Sequence, residues 1–233
     1  MAIYMWRRRQ YTPTNDTKLY LPIDSVDGAT VYDHSWNGKN FIWTWTQNFE
    51  TLTSWKRVAV FDGTNWIYKA NWFLENQTKS TISLWLNYTT WWRLFFNRRY
   101  YNSRWYWYDI DIHPTTNKIM RSYGGGTTST FSWVSWDIIP TKDEWNNIIF
   151  TQNWWACKIY INWTLMSTVS NNTWLSVYET PYSDIWCITQ DEAVTFTSKI
   201  IWKMSDIIYE ISERSANDTL DYYNNTKWDY WIS

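Results

Sequence analysis

Glycine is scarce in this chain, 6 residues in 233, where an ordinary share of roughly 7 % would give about 16. A fold rich in tight turns needs residues that accept positive φ, so the shortage is itself a structural statement. Cysteine is equally thin, with Cys157 and Cys187 only, which excludes a disulfide framework; buried free thiols are the simpler reading and a single bridge in an oxidising compartment is the other. Two histidines and two distant cysteines give no zinc spacing. Charge of either sign is not in excess: 21 Lys+Arg stand against 22 Asp+Glu, a net charge of -1, and a nucleic-acid binder would carry a basic surplus or stripe. No apolar run approaches the roughly 18 to 20 residues of a membrane helix. The apolar residues of Met1 to Gln10 precede Arg7, Arg8 and Arg9, the reverse of a secretory signal. Gly124, Gly125 and Gly126 lack the following Lys of a phosphate loop, and Ser, Cys and His form no nucleophilic triad.

What is present is core-forming material. Hydrophobic residues make up 45 % and aromatics 21 %, so a globular fold is expected and disorder is not. Short runs rich in Ile, Val, Thr, Tyr and Phe alternate with polar turn clusters between residues 56 and 210, the spacing of an all-β sandwich. Residues 80–87 show the cleanest period of two, with Ile82, Leu84 and Leu86 on one face and Ser83, Trp85 and Asn87 on the other. Strands are also predicted at 56–61, 105–112, 146–151, 158–162 and 203–209. Ser215 stands three residues before Asp218, a capping-box start to one short helix over about 215–224. No linker divides the chain, so residues 18–233 read as one domain behind a basic leader, 1–17, expected to order poorly.

Tryptophan is the counterpart of the missing glycine. There are 23, and many occupy turn-like places: Trp66, Trp72, Trp154 and Trp163 each follow Asn, where Asn-Gly would be the strongest hairpin signal. The two imbalances are similar in size. They are explained together if UGA encodes glycine in the source organism, as in some bacterial lineages and their phages, and has been rendered as tryptophan here. Trp85, within a strand, and Trp145, after Lys142-Asp143-Glu144, read as true tryptophans. The other reading is a tryptophan-rich surface for stacking on sugar rings.

Several segments, in order, resemble the laminin-G-like, concanavalin A-like lectin/glucanase domains: Leu19-Tyr-Leu-Pro-Ile-Asp24, Tyr32-Asp-His-Ser-Trp-Asn-Gly38, Ala59-Val-Phe-Asp-Gly63, Thr81-Ile-Ser-Leu-Trp85, Cys157-Lys-Ile-Tyr-Ile-Asn-Trp163 and Ile201-Trp-Lys-Met-Ser-Asp206. Trp36, Trp163 and Trp202 fall where the family patterns carry Gly. The resemblance implies an antiparallel jelly-roll sandwich of two curved sheets and a module that binds a glycan or a surface protein. It also implies a structural Ca2+, for which Asp33, Asn37 and Asp206 match positions near the metal; an Asx-type turn is the alternative for Asp33 and Asn37.

For ligand contact the sequence offers Tyr100, Tyr101, Arg104 and Tyr123, aromatics interleaved with Arg that can stack on sugars and bridge hydroxyls. Asp109, Asp111 and His113 share one face of a strand and form a second polar candidate. They lack the Glu of the paired-carboxylate pattern of glycosidases on this fold, so no catalytic residue is assigned and the chain reads as a non-enzyme. Expected settings are a virion, as a phage tail or adhesion protein, or a bacterial cell surface, with a homo-oligomer compatible with either. A polysaccharide hydrolase or lyase and a purely structural virion decoration domain are the alternatives.

Overall fold

The computed structural model describes residues 11–24, 27–44, 47–61, 66–68, 79–89, 93–101, 104–112, 118–125, 132–135, 139–153, 155–170, 184–185 and 202–230. The strands, in chain order, are β1 (Thr17–Leu21), β2 (Thr30–Val31), β3 (Phe41–Thr44), β4 (Asn48–Thr51), β5 (Arg57–Phe61), β6 (Trp66–Tyr68), β7 (Ser80–Tyr88) and β8 (Arg93–Tyr101), then β9 (Arg104–Ile112), β10 (Ile119–Gly125), β11 (Ser132–Ser135), β12 (Trp145–Gln152), β13 (Ala156–Ile161), β14 (Thr164–Ser170), β15 (Asp184–Ile185) and β16 (Trp202–Glu210). Helix α1 (Ala216–Thr226) and a single 3-10 turn, Lys227–Asp229, follow. Among the described residues the chain adopts the all-β reading with one short C-terminal helix. All six strands foreseen from period-two patterning lie within two residues of their expected bounds.

The larger sheet runs β14-β13-β12-β7-β16-β5-β4, with β1 also pairing β16. A five-stranded sheet runs β11-β10-β9-β8-β15, and β2-β3-β6 form a third, small sheet. Every recorded pairing of named strands is antiparallel. The core lies between these layers: Leu19, Ile82, Leu84, Leu86, Ile148, Phe150 and Ile159 of the large sheet meet Ile119 of β10 and Phe41 and Trp43 of β3. Trp43 stacks on Phe61 with ring centroids 5.3 Å apart and planes 5° off parallel.

The opposite face of the large sheet is buried as well. Tyr20, Val58, Trp85, Ile149, Tyr160 and Ile208 form a second apolar cluster with Tyr222, Tyr223 and Tyr230 from the C-terminal segment. This explains why β7 is buried almost from end to end, although its sequence alternates. α1 is placed by its start. Ser215 takes the N-cap, its side chain accepts from the Asp218 amide, and Asp218 accepts back from the Ser215 amide, so two orphan donors of the first turn are satisfied reciprocally.

Two hairpins show where glycine is wanting. β13 and β14 pair at Ile161 and Thr164, so Asn162 and Trp163 alone make the turn, both at positive φ, 49° and 69°. That is the type I′ geometry that matches strand twist and favours Asn-Gly. Between β4 and β5 the Trp55 amide donates to the Leu52 carbonyl at 2.8 Å and the Leu52 amide to the Lys56 carbonyl at 2.9 Å. Trp55 sits there at φ 66°, the place where a turn followed by a bulge takes glycine.

Candidate functional site

The sequence candidates on the five-stranded sheet divide between its two faces. β9 sets Tyr101 opposite Arg104, Tyr100 opposite Trp105, Phe96 opposite Asp109 and Arg93 opposite Asp111, while β10 sets Tyr123 opposite Tyr108. Because faces alternate along a strand, Arg104 and Tyr123 share the face of Ile119, and Tyr101, paired with Arg104, lies there too. Ile119 is part of the inter-sheet core. Tyr100, Asp109 and Asp111 occupy the other face. The register therefore keeps the two aspartates together and separates them from Tyr101, Arg104 and Tyr123. His113 lies outside the described residues, as does Cys187; Cys157 is a buried free thiol.

Asp33, Asn37 and Asp206 do not assemble into a cation site. Both oxygens of Asp33 are taken: Oδ1 accepts from the amides of Tyr20 at 3.0 Å and Ser35 at 2.8 Å, and Oδ2 from the Ser35 hydroxyl and the Lys39 amide, each at 2.8 Å. This is an Asx-type turn with extra donors. Asn37 Nδ2 donates to the Thr17 carbonyl at 2.9 Å. Asp206 sits at φ 50° in a bulge of β16 where the register shifts between Ser205 and Ile208. Its carboxylate accepts from Lys56 Nζ at 3.0 and 3.1 Å, from the Tyr230 hydroxyl at 2.5 Å and from the Tyr20 hydroxyl at 3.4 Å. Tyr20 thus holds Asp33 by its amide and Asp206 by its phenol, a tyrosine side chain apart. Donors fill the lone pairs that calcium would need on Asp33 and Asp206, so these two carboxylates do not fit the ion. Among the described residues no group of three or more His, Cys, Asp and Glu could hold a metal.

A groove of about 930 Å³ opens between the segment 11–16, the end of β16 and α1. At its floor Arg214 Nε donates to Glu210 Oε2 at 2.6 Å, and the guanidinium lies 4.7 Å from the Tyr222 ring centroid and 5.4 Å from that of Tyr11. Tyr11 donates its hydroxyl to Glu210 Oε1. Burial first, then the Glu210 charge, pushes the Tyr11 phenol well above its ordinary range. Burial alone would lower the Arg214 guanidinium, but Glu210 outweighs it and the group is held above its usual value. Both terminal nitrogens of Arg214 are buried and without a hydrogen-bond partner. On the rim Asp218, Asp221 and Asn225 follow one another at helical spacing on α1, and Asp16 and Thr12 also line the groove.

Glu213, on the same rim, is held by Lys158 Nζ at 2.7 Å and Asn153 Nδ2 at 2.8 Å. Burial raises its carboxyl, yet these bonds prevail and it lies below the usual range; the bond to Glu213 raises Lys158. A depressed carboxylate adds stability above its unfolded pKa and loses it as pH falls through the folded value. The raised ammonium adds stability below its unfolded pKa and loses it as pH rises through its own. Glu213→Gln should therefore cost about 0.2–1 kcal/mol at pH 7 and flatten the acid limb of a urea-unfolding series between pH 7 and 3. An unchanged acid limb would contradict the pairing.

No protein-family model matches the chain, and no curated protein matches it. Solved structures do. The binding domain of Paraclostridial Mosquitocidal Protein 1 superposes with a TM-score of 0.69 at 11 % identity, over 90 % of this chain and 52 % of that one. The receptor binding domain of botulinum neurotoxin D gives 0.62 at 14 %, over 91 % and 53 %. A botulinum neurotoxin type C structure, whose cell entry depends on interaction with two ganglioside molecules, gives 0.67 at 15 %, over 90 % and 51 %. The chain spans about half the length of these proteins. At such identities the likeness establishes the fold, a β-sandwich.

The groove residues were not singled out from the sequence. One signal was present: Asp218, Asp221 and Asn225 share a face of the helix that the capping box announced. Nothing local showed that Tyr11 and Arg214, about 200 residues apart along the chain, would meet around Glu210.

Proposed function

We propose that this chain is a non-catalytic binding module of laminin-G-like type that takes a glycan or a surface protein, and that the groove beside α1 is its ligand site. The observation that carries this reading is the division of hydrogen-bonding character in the groove. Its floor holds a buried guanidinium with two nitrogens lacking acceptors, while its rim carries the carboxylates of Asp16 and Asp221 and the Asn225 amide. Those two nitrogens are shut off from the groove, so the rim is what a ligand meets: a sugar hydroxyl both donates and accepts and suits the two carboxylates and the amide together. The surplus of carboxylates over the single Arg disfavours anionic sugars.

The fold likeness supports the binding reading, because the neighbours are named for receptor binding, for gangliosides and, in one complex, for rat synaptotagmin II; those ligands belong to the neighbours. In this reading the module works on a virion or a bacterial cell surface, and its gene uses UGA as a glycine codon. The test is an array of neutral and anionic glycans followed by titration of any hit. Neutral glycans should bind, and the double variant Asp221→Ala/Asn225→Ala, both residues being exposed, should weaken binding about tenfold, roughly 1.4 kcal/mol, without moving the melting point. An empty array from a stable oligomer would favour a virion decoration domain. Turnover of a polysaccharide, lost on Asp109→Asn or Asp111→Asn, would make the chain an enzyme.

A further inference from the structure

We infer that the fold sorts the tryptophans into two kinds: Trp55 and Trp163 stand at positions whose native residue is glycine, whereas Trp43, Trp85 and Trp145 are tryptophan in the native protein. The inference rests on the glycine decoding proposed above and assigns it to positions. Trp55 and Trp163 are the two described tryptophans at positive φ, 66° and 69°, where the Cβ of an L-residue crowds its own carbonyl. Each sits in a hairpin loop of the kind that takes glycine there. Neither side chain is buried in compensation, Trp55 being 81 % and Trp163 49 % exposed.

Left-handed backbone alone does not mark glycine. Asn162, Asp143 and Asp206 also adopt it, but Asn and Asp tolerate that region. Ile23 adopts it at φ 48° with its side chain fully buried in the core, and that burial compensates for the conformation. Trp55 and Trp163 have neither excuse. Trp36 and Trp155 are exposed in turns without positive φ, so the backbone assigns them to neither kind.

Trp43, Trp85 and Trp145 differ in every respect. Trp43 stacks on Phe61 inside the core, Trp85 is 0 % exposed between sheet and helix, and Trp145 packs on Tyr230 with ring centroids 4.9 Å apart. Glycine at Trp43 or Trp85 would leave a cavity the size of an indole, and at the partly buried Trp145 it would strip the contact with Tyr230. One consequence concerns ligands. The aromatic surface at positions 55 and 163 is not a sugar platform, because the native protein presents bare backbone there.

The deciding experiment reads the codons for residues 43, 55, 85, 145 and 163 in the source gene, together with peptide masses of the protein made by its own cells. UGA with glycine mass at 55 and 163, and UGG with tryptophan mass at the other three, supports the sorting. Tryptophan mass at 55 or 163 overturns it. Glycine mass at 43, 85 or 145 also overturns it while leaving the decoding intact, so the two can fail separately. As an independent measure, Trp163→Gly and Trp55→Gly in the recombinant chain should each raise the melting temperature. A fall or no change at both sites overturns the assignment.

Discussion

Trp85→Ala should be among the most destabilising single substitutions in this protein, costing about 3–5 kcal/mol, the range for removing a fully buried large aromatic side chain. The indole is 0 % exposed and lies on the outer face of β7, where α1 and the turn after it close over the sheet. Its ring stacks on Tyr230 at 4.2 Å between centroids and on Tyr223 at 5.9 Å, and its Nε1 donates to Thr226 Oγ1 at 3.2 Å. Truncation removes apolar contact, leaves a cavity beneath the helix and strips Thr226 of a donor. Total stabilities run about 5–15 kcal/mol, so the alanine variant can fail to fold; Trp85→Phe, which keeps one ring of the stack and loses the pyrrole ring with its hydrogen bond, should cost less, about 1–2 kcal/mol. Urea unfolding of both variants reads the order directly. A loss below about 1 kcal/mol for Trp85→Ala would mean that the helix is not anchored on this residue.

Five strands of the large sheet, β5, β7, β12, β13 and β16, were legible because apolar residues recur along them, as at Ile82, Leu84 and Leu86. The position of α1 was legible from Ser215 and Asp218 alone, since a capping box is a local device. The covering of Trp85 by α1 was not. It depends on Tyr222, Tyr223 and Tyr230 meeting a strand some 140 residues earlier, and no periodicity reports a contact of that range. The third sheet, β2-β3-β6, escaped for a similar reason: two- to four-residue strands are too short to show a period.

Candidate sites were less legible than the fold. Alternation placed Asp109 and Asp111 on one face, and the register keeps them there opposite Phe96 and Arg93. Tyr100, Tyr101 and Arg104 looked like one patch in the sequence, but consecutive strand residues point to opposite faces, so Tyr100 and Tyr101 cannot belong to one patch on the sheet. Asp33 and Asp206 matched metal-proximal positions of a family pattern by type and order. What a pattern does not show is which donors reach a carboxylate, and here backbone amides and an ammonium arrive first.

Asp206→Ala tests that last point and carries the second large effect. Lys56 and Asp206 are each only 5 % exposed in their side chains, and the carboxylate gathers donors from β5's approach, from β1 and from the C-terminal turn: Lys56, Tyr20 and Tyr230. Removing it leaves a buried ammonium and two buried phenols without their acceptor, a change that costs about 3–5 kcal/mol when a buried pair is broken. The backbone adds to the loss, because Asp206 lies at φ 50°, which Ala accepts less readily than Asp. Asp206→Asn separates the two contributions, since Asn tolerates that backbone and keeps an acceptor oxygen while abolishing the charge; most of the penalty should persist. Lys56→Met paired with Asp206→Asn should recover part of it, because a buried ion pair replaced by uncharged groups is often neutral. A double-mutant cycle by urea denaturation gives the coupling. If Asp206→Asn stays within about 1 kcal/mol of the parent and the cycle shows no coupling, the ammonium has another outlet, and Asp206 would again be free to serve a ligand.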